Sequence, residues 1–230
     1  MTDEPSAGER LDLADWRRRI SDLYAEVRRE AATDPPSAWA LWRTAREELF
    51  ATHPQSPVPA GERGQFRASH WAYDPAYRFE LALASDAPGA AAAAAAADAP
   101  LAGSFLGGLS LNLPISTGGE EGFTRIGRFE VPFPGGSRPL GVYWMAGYAG
   151  GLFLPFRDAT NGTETYGAGR YLLDTAKSAD LGGGSKAGSL VLDFNFAFHP
   201  SCAFDPKWSC PLSPPENRVD VRIEAGERLA

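Results

Sequence analysis

YRFELAL, Tyr77 to Leu83, is the stretch on which the reading of the fold turns. Tyr77, Phe79, Leu81 and Leu83 alternate with Arg78, Glu80 and Ala82, the two-residue period of a strand with one buried face. The same alternation returns in LSLNL, where Leu109, Leu111 and Leu113 flank Ser110 and Asn112, and in RFEVPF, where Phe129, Val131 and Phe133 flank Glu130 and follow Arg128. Further strands are expected near Leu140 to Ala146, Gly151 to Arg157, Thr163 to Leu172, Ser189 to Phe198 and Val219 to Glu224. About eight strands with turns between them and no interleaved helical pattern predict a mainly β fold, an antiparallel barrel or sandwich. The 25 glycines and 19 prolines suit the turns that such a sheet needs.

Upstream of Pro59 the period is that of a helix. In LDLADWRRRISDLYAEVRREA, Leu13, Trp16, Ile20, Leu23 and Val27 recur at three- and four-residue steps, and the arginines fall largely off that stripe onto a solvated face. Pro35 and Pro36 break the chain, Ser37 is placed to cap a second helix over about Ala38 to Ala51, and Trp39, Trp42, Arg46, Leu49 and Phe50 repeat the spacing until His53-Pro54. The two tryptophans read as packing anchors against the main body. The expected organisation is a disordered tail over 1–10, a helical pair over 11–55 packed on the main domain, and a β domain over 60–230. SDAPGAAAAAAAADAPLAG interrupts that domain at 85–103; its eight-alanine run is shorter than the ~12 residues an isolated helix needs and reads as an insertion.

Net charge is −7, which lacks the basic footprint of a nucleic-acid binder. No apolar run of ~18 residues is present and the N-terminus MTDEPSAGERLD is acidic and polar, so neither a membrane nor an export signal is expected, and the cytoplasm is the expected location. No nucleophile elbow, HExxH, phosphate-binding loop or paired CxxC occurs.

Polar residues crowd instead into the last third, in FRDATNGTETYGAGRYL (Phe156 to Leu172) and LVLDFNFAFHPSCAFDPKWSCPLSPPENRV (Leu190 to Val219). Buried polar groups must be satisfied or used. Asn161-Gly162 is a strong turn dipeptide, and a hairpin built on it sets Glu164, Tyr166 and Arg170 on one parity, a carboxylate, a phenol and a guanidinium able to clamp a ligand. Cross-strand pairing that merely stabilises the hairpin explains the same residues. Alternation through LVLDFNFAFHP sets Asp193, Asn195 and His199 on one face, with Asp193 and Asn195 the credible local pair and an ordinary solvent face the competing reading. Cys202 and Cys210, with seven residues between them, fit two packed thiols, a redox-sensitive pair, or, with His199, part of a metal site; no metal is implied by spacing alone. Glu216 and Asn217 follow in a stiff proline-rich run and either project into a site or cap the last strand.

Taken together, FRDATNGTETYGAGRYL, the DFN of Asp193 to Asn195, HPSCAF, CPLSPPEN and VRIEAGE resemble the DUF1684 family of bacterial and archaeal proteins of unknown function, over about residues 40 to 228, with HPQSP at His53 to Pro57 included. The resemblance places the family blocks on Phe156, Asp158, Thr160 and Gly162; on Thr165, Tyr166 and Gly169 to Leu172; on Asp193 to Asn195 and Cys202; and on Cys210, Pro211, Pro214, Pro215 and Asn217. It implies one polar cluster, with no activity or cofactor attached, and an Asn where this chain has His199 speaks against a histidine base.

The expected function is a pocket for a small polar or anionic ligand lined by Asp158, Thr160, Tyr166, Arg170, Asn195 and Asn217. The alternative is an enzyme with Asp193 or Glu164 as general base and Arg170 and Tyr166 stabilising negative charge. A third reading makes the cluster purely structural.

Overall fold

The computed structural model describes residues 4–85, 109–147 and 150–229. The expected alanine-rich insertion falls almost wholly outside the described residues. Helix α1 (Ala7–Ala31) starts inside the segment expected to be tail, because Ser6 and Glu9 close a reciprocal capping box that satisfies two N-terminal amides. Helix α2 (Pro35–Thr52) likewise starts earlier than expected. Asp34, not Ser37, is its cap, accepting from the Ser37 amide at 3.1 Å, and the two prolines occupy the first turn, where the missing N–H costs nothing.

The helices share a core of Leu23, Tyr24, Val27 and Ala31 with Ala38, Trp39 and Trp42. Trp42 anchors the pair as expected: its indole N–H donates to Tyr24 Oη at 3.1 Å and its ring packs 5.3 Å from that of Phe196 in the β region.

Among the described residues all strand pairings are antiparallel. The main sheet runs in the order β3 (Ala84–Ser85), β5 (Glu120–Phe133), β6 (Gly136–Met145), β7 (Gly151–Phe156), β8 (Arg170–Asp174), with β4 (Leu109–Pro114) also on β5. A second ladder joins β2 (Arg78–Ala82) to β9 (Ser189–Asp193), and a third, of two residues a side, joins β1 (Ser69–His70) to β10 (Glu227–Arg228). Among the described residues the main sheet does not close on itself, so the fold is mainly β with two helices but not a closed barrel. β5 kinks at a register shift between Arg125 and Gly127, where a Cβ on Gly127 would sit 2.4 Å from the Ala84 carbonyl; only glycine lets β3 approach there.

The alternating residues do what their period demands. Phe129, Val131 and Phe133 from β5, Leu140 and Val142 from β6, and Leu154 and Phe156 from β7 meet Leu192 and Phe194 in one core, against which Phe79 and Leu81 of β2 pack. No helix among the described residues is long and apolar enough to cross a membrane.

Three strand expectations fail. Thr163 to Tyr166 form no strand; β9 ends at Asp193 and gives way to a 3-10 turn over Phe194–Phe196; and Val219 to Glu224 run without a ladder.

Candidate functional site

The expected hairpin is instead a closed loop between β7 and β8. The Thr160 carbonyl accepts from the amides of Thr163, Glu164 and Thr165, and the amide of Gly162, at φ +83°, donates to the Thr165 carbonyl. The cause is local side-chain chemistry. Asp158 accepts from the Thr160 hydroxyl at 2.9 Å, and the Asn161 amide group donates to Thr165 Oγ1 at 2.9 Å and to the Tyr166 carbonyl at 2.8 Å. These bonds offer the backbone partners that a strand ladder would otherwise supply. The parity argument therefore falls: Glu164 turns to the surface and pairs with Arg222, whereas Arg170 is wholly buried.

Arg170 is a tie between segments. Its Nη1 donates to the carbonyls of Ala225 and Glu227, its Nη2 donates to the Ile223 carbonyl at 2.9 Å and meets Asp158 at 3.4 Å, and its guanidinium lies over the rings of Phe156 and Trp71. Asp158 also accepts from the Ile223 amide at 2.7 Å. Burial lowers the Arg170 pKa against the pull of Asp158, but a guanidinium keeps its charge in a protein. Asn217, expected either to project into a site or to cap the last strand, is fully buried. It accepts from the Gly141 amide at 2.7 Å and donates to the carbonyls of Gly141 and Pro155 at 2.9 and 2.7 Å.

Asp193 and Asn195 do come together, though by a turn rather than by strand alternation. Asn195 donates through its backbone and side chain to Asp193 Oδ1 at 3.0 and 2.7 Å, while Tyr73 and Arg78 contact Oδ2 at 3.0 and 3.2 Å. Burial raises the Asp193 carboxyl above its ordinary range despite those donors. The void it faces measures about 10 Å³, room for a single water and not for a substrate. Asp193 and Arg170 thus belong to separate networks with no partner in common.

Among the described residues no three of His, Cys, Asp and Glu gather as a metal would require, His199, Cys202 and Cys210 included. His199 accepts from the Tyr166 amide through Nε2 at 3.2 Å. Cys202 and Cys210 are buried thiols in contact, the Cys202 amide lying 3.3 Å from the Cys210 sulfur.

A smaller cleft of about 300 Å³ lies beside Gly141 and Glu216, and one of about 480 Å³ lies between the segment after α2 and the end of the chain. Val58, Phe66, Ala203, Phe204 and Leu229 supply apolar walls, and Arg67 and Arg228 stand beside Glu62 among its polar lining. Its floor holds His199 and Glu227, 4% and 2% exposed. The Glu227 carboxylate accepts from Arg46 at 2.9 Å and from the His199 amide at 2.7 Å. Burial works to raise its pKa, but Arg46 with the nearby imidazoles outweighs it and leaves the carboxyl below its usual value. His199 and His70 are each lowered to about 4, chiefly by burial, so both rings are neutral near pH 7.

Sequence reading missed Arg46, Glu227 and the flanking arginines. A signal existed for one of them: Arg46 occupies a position on the apolar stripe of α2, where a charge calls for a buried partner. Glu227 closes the VRIEAGE block, but nothing local to it announced burial, since its partners lie 181 and 28 residues away along the chain.

A model of the family described as "Protein of unknown function (DUF1684)" matches residues 66–228. The chain belongs to this family. The match holds every block quoted above from Phe156 onward, while α2 and HPQSP lie outside it. Among solved structures, this DUF1684 protein is similar to an uncharacterized protein of Haloarcula marismortui determined by solution NMR, at 29% identity and a TM-score of 0.54, over 87% of this chain and 97% of that one. No curated protein matches it.

Proposed function

We propose that this DUF1684 protein binds a small anionic molecule with an apolar body, and that the cleft floored by His199 and Glu227 is where it does so. The carrying observation is the junction, in one concavity, of aromatic and aliphatic walls with two guanidinium groups in a chain of net charge −7. A volume of about 480 Å³ lies within the range of small-molecule sites. Arg67 and Arg228 offer charge-assisted hydrogen bonds to a carboxylate or phosphate, and Phe66 and Phe204 offer the apolar surface. Glu227, already neutralised by Arg46, does not repel the ligand.

On this reading Asp158, Thr160, Arg170, Asn195 and Asn217 brace the walls rather than touch the ligand. Tyr166 fixes the His199 ring through its amide. A general-base role for Asp193 or Glu164 has less behind it, because neither faces a space of substrate size.

The test is an NMR titration of isotope-labelled protein with phenylacetate and, in parallel, with neutral phenylacetamide. Saturable shifts of the Ser69, Ala203, Phe204 and Arg228 amides with the acid, weaker with the amide, are expected. Arg228→Ala should weaken the acid roughly tenfold, the worth of one charge-assisted hydrogen bond. Absence of cleft shifts up to the solubility of the acid, or equal response to acid and amide, would overturn the reading.

A further inference from the structure

A second feature stands beside the cleft and is chemically independent of it. Cys202 lies in a 3-10 turn over Ser201–Ala203 and Cys210 in the proline-rich run, and both are buried. The Cys202 amide points at the Cys210 sulfur at 3.3 Å, and the Cys210 thiol is the strongest hydrogen-bond partner of the Cys202 sulfur. Tyr166 Oη and Ser116 Oγ also lie within hydrogen-bonding reach of Cys202, and the Cys210 amide donates to Ser116 Oγ at 3.0 Å. The amide-to-sulfur contact sets the Cys210 sulfur directly against the Cys202 backbone, so the two side chains are neighbours.

We propose that Cys202 and Cys210 form a reversible oxidation site for a hydroperoxide, with Cys202 the attacking sulfur and Cys210 the resolving one. In the first step the Cys202 thiolate attacks the terminal peroxide oxygen. An S–O bond forms, the O–O bond breaks, and the departing alkoxide or hydroxide takes a proton to leave as alcohol or water. Cys202 is then a sulfenic acid, and the peroxide has been reduced by two electrons. In the second step the Cys210 sulfur gives up its proton and attacks the Cys202 sulfur, an S–S bond forms, and the sulfenic oxygen leaves as water.

The assignment of roles follows from the surroundings. The sulfur of Cys202 gathers hydrogen bonds, that of Cys210 first, which hold its pKa down at about 6 despite burial. The Cys210 thiol is pushed up, first by its bond to Cys202 and then by burial, so it stays protonated until Cys202 has been oxidised. Tyr166, itself raised to about 12 by burial and by Cys202, remains a hydroxyl donor throughout. A resolving thiol already in contact competes well with over-oxidation. Because Ala203 and Phe204 follow Cys202 directly and wall the cleft, the disulfide would also fix that wall to the 208–211 segment. This last consequence rests on the proposed ligand site; the oxidation itself does not.

The experiment is hydrogen peroxide treatment of the full chain followed by intact mass, with dimedone as the trap for sulfenic acid. Wild type should lose two hydrogens, regain them with a reductant, and show neither change as Cys202→Ser or Cys210→Ser. Cys210→Ser should carry one dimedone adduct on Cys202, formed at lower pH in the folded chain than in the same variant in urea, because Ser116 and Tyr166 still bond the sulfur. An adduct on Cys210 in Cys202→Ser at equal rate, or wild type that retains two alkylatable thiols after peroxide, would overturn the proposal. Thermal melting of each variant shows that a missing reaction is not a missing fold. Mass reads the disulfide whether or not phenylacetate binds, so the two proposals fail separately.

Discussion

The β5–β6 ladder and the final segment from Phe194 to Arg228 keep their backbones satisfied in different ways. In the ladder, strand pairs with strand over ten aligned positions, and side chains need only sort into buried and exposed faces. The final segment has a single strand, the two residues of β10; its amides and carbonyls are met by scattered backbone bonds, such as those of Phe198 with Tyr171 and of Val219 with Arg157, and, where these run out, by buried side chains. Arg170 takes three of its carbonyls, Asp158 the Ile223 amide and Glu227 the His199 amide, while Asn217, itself part of the segment, reaches back to the backbone of Gly141 and Pro155. An irregular chain can be buried only on such terms. Polar residues in strand-like segments thus mark the place where regular structure stops, and the cleft opens along that seam.

The contrast is broken most directly at Arg170. Arg170→Ala strips three carbonyls of their donor and leaves Asp158 as a buried, uncompensated carboxylate, a change that costs about 4 kcal/mol. Urea unfolding should show the variant at the edge of stability, and Arg170→Lys should not restore the midpoint, because one ammonium cannot span the carbonyls that the planar fork reaches. A midpoint within error of wild type would mean that the final segment is held by packing alone.

The pH response sharpens the contrast next. The three histidines all lie outside the main sheet, and His70 and His199 sit along the seam. Their folded pKa values of about 4 lie below the ordinary 6.5, so the unfolded chain binds more protons between those limits. The stability they contribute is complete above pH 6.5 and is lost as pH falls toward 4, by at most roughly 3 kcal/mol for each ring. Glu227, held below its ordinary value of 4.5, continues the loss at lower pH. Asp193 works the other way, since its raised pKa favours the folded state as it protonates. Urea midpoints between pH 7 and 4 should fall accordingly. His199→Asn, which keeps an acceptor for the Tyr166 amide but does not titrate, should remove about half the slope.

Asn217→Ala is expected to come third. It leaves one amide and two carbonyls without their side-chain partner in a dry interior, worth about 2 kcal/mol after relaxation. Because Gly141 belongs to β6, this variant also tests whether the seam is coupled to the sheet: hydrogen exchange at the amides of Gly141 and Val142 should accelerate with it.

The same contrast explains what could be read from the chain beforehand. Strands β2, β4, β5, β6 and β7 fall where a period of two places them, and both helices where the period is 3.6, because in each the backbone satisfies itself and the side chains carry the pattern. Strands β1, β3 and β10, at two residues each, are too short to have a period. The family was legible in blocks such as DFN and CPLSPPEN, which lie within the matched residues 66–228. The polar residues of the last third were rightly seen as unusual, but strand parity misplaced them. Side-chain bonds from Asp158, Asn161 and Asp193 fold their own loops, and parity holds only while a ladder continues. The cleft was out of reach for a different reason: its floor joins α2, β1 and β10, which are brought together only by the finished fold.

Glu164 offers the smallest effect and the cleanest control. It was singled out by the same parity that picked Arg170, and it carries the same kind of ion pair, with Arg222 as its partner. The difference is solvent: the side chains of Glu164 and Arg222 are 35% and 48% exposed, against none for Arg170 and Asp158. Water already satisfies both charges, and Arg222 keeps Glu224 at 2.9 Å when Glu164 is neutralised. Glu164→Gln should therefore leave the urea midpoint unresolved from wild type at moderate salt. A clear loss in Glu164→Gln that persists at high salt would show that the 158–166 loop depends on this surface contact, and burial would no longer account for the gap between the two pairs.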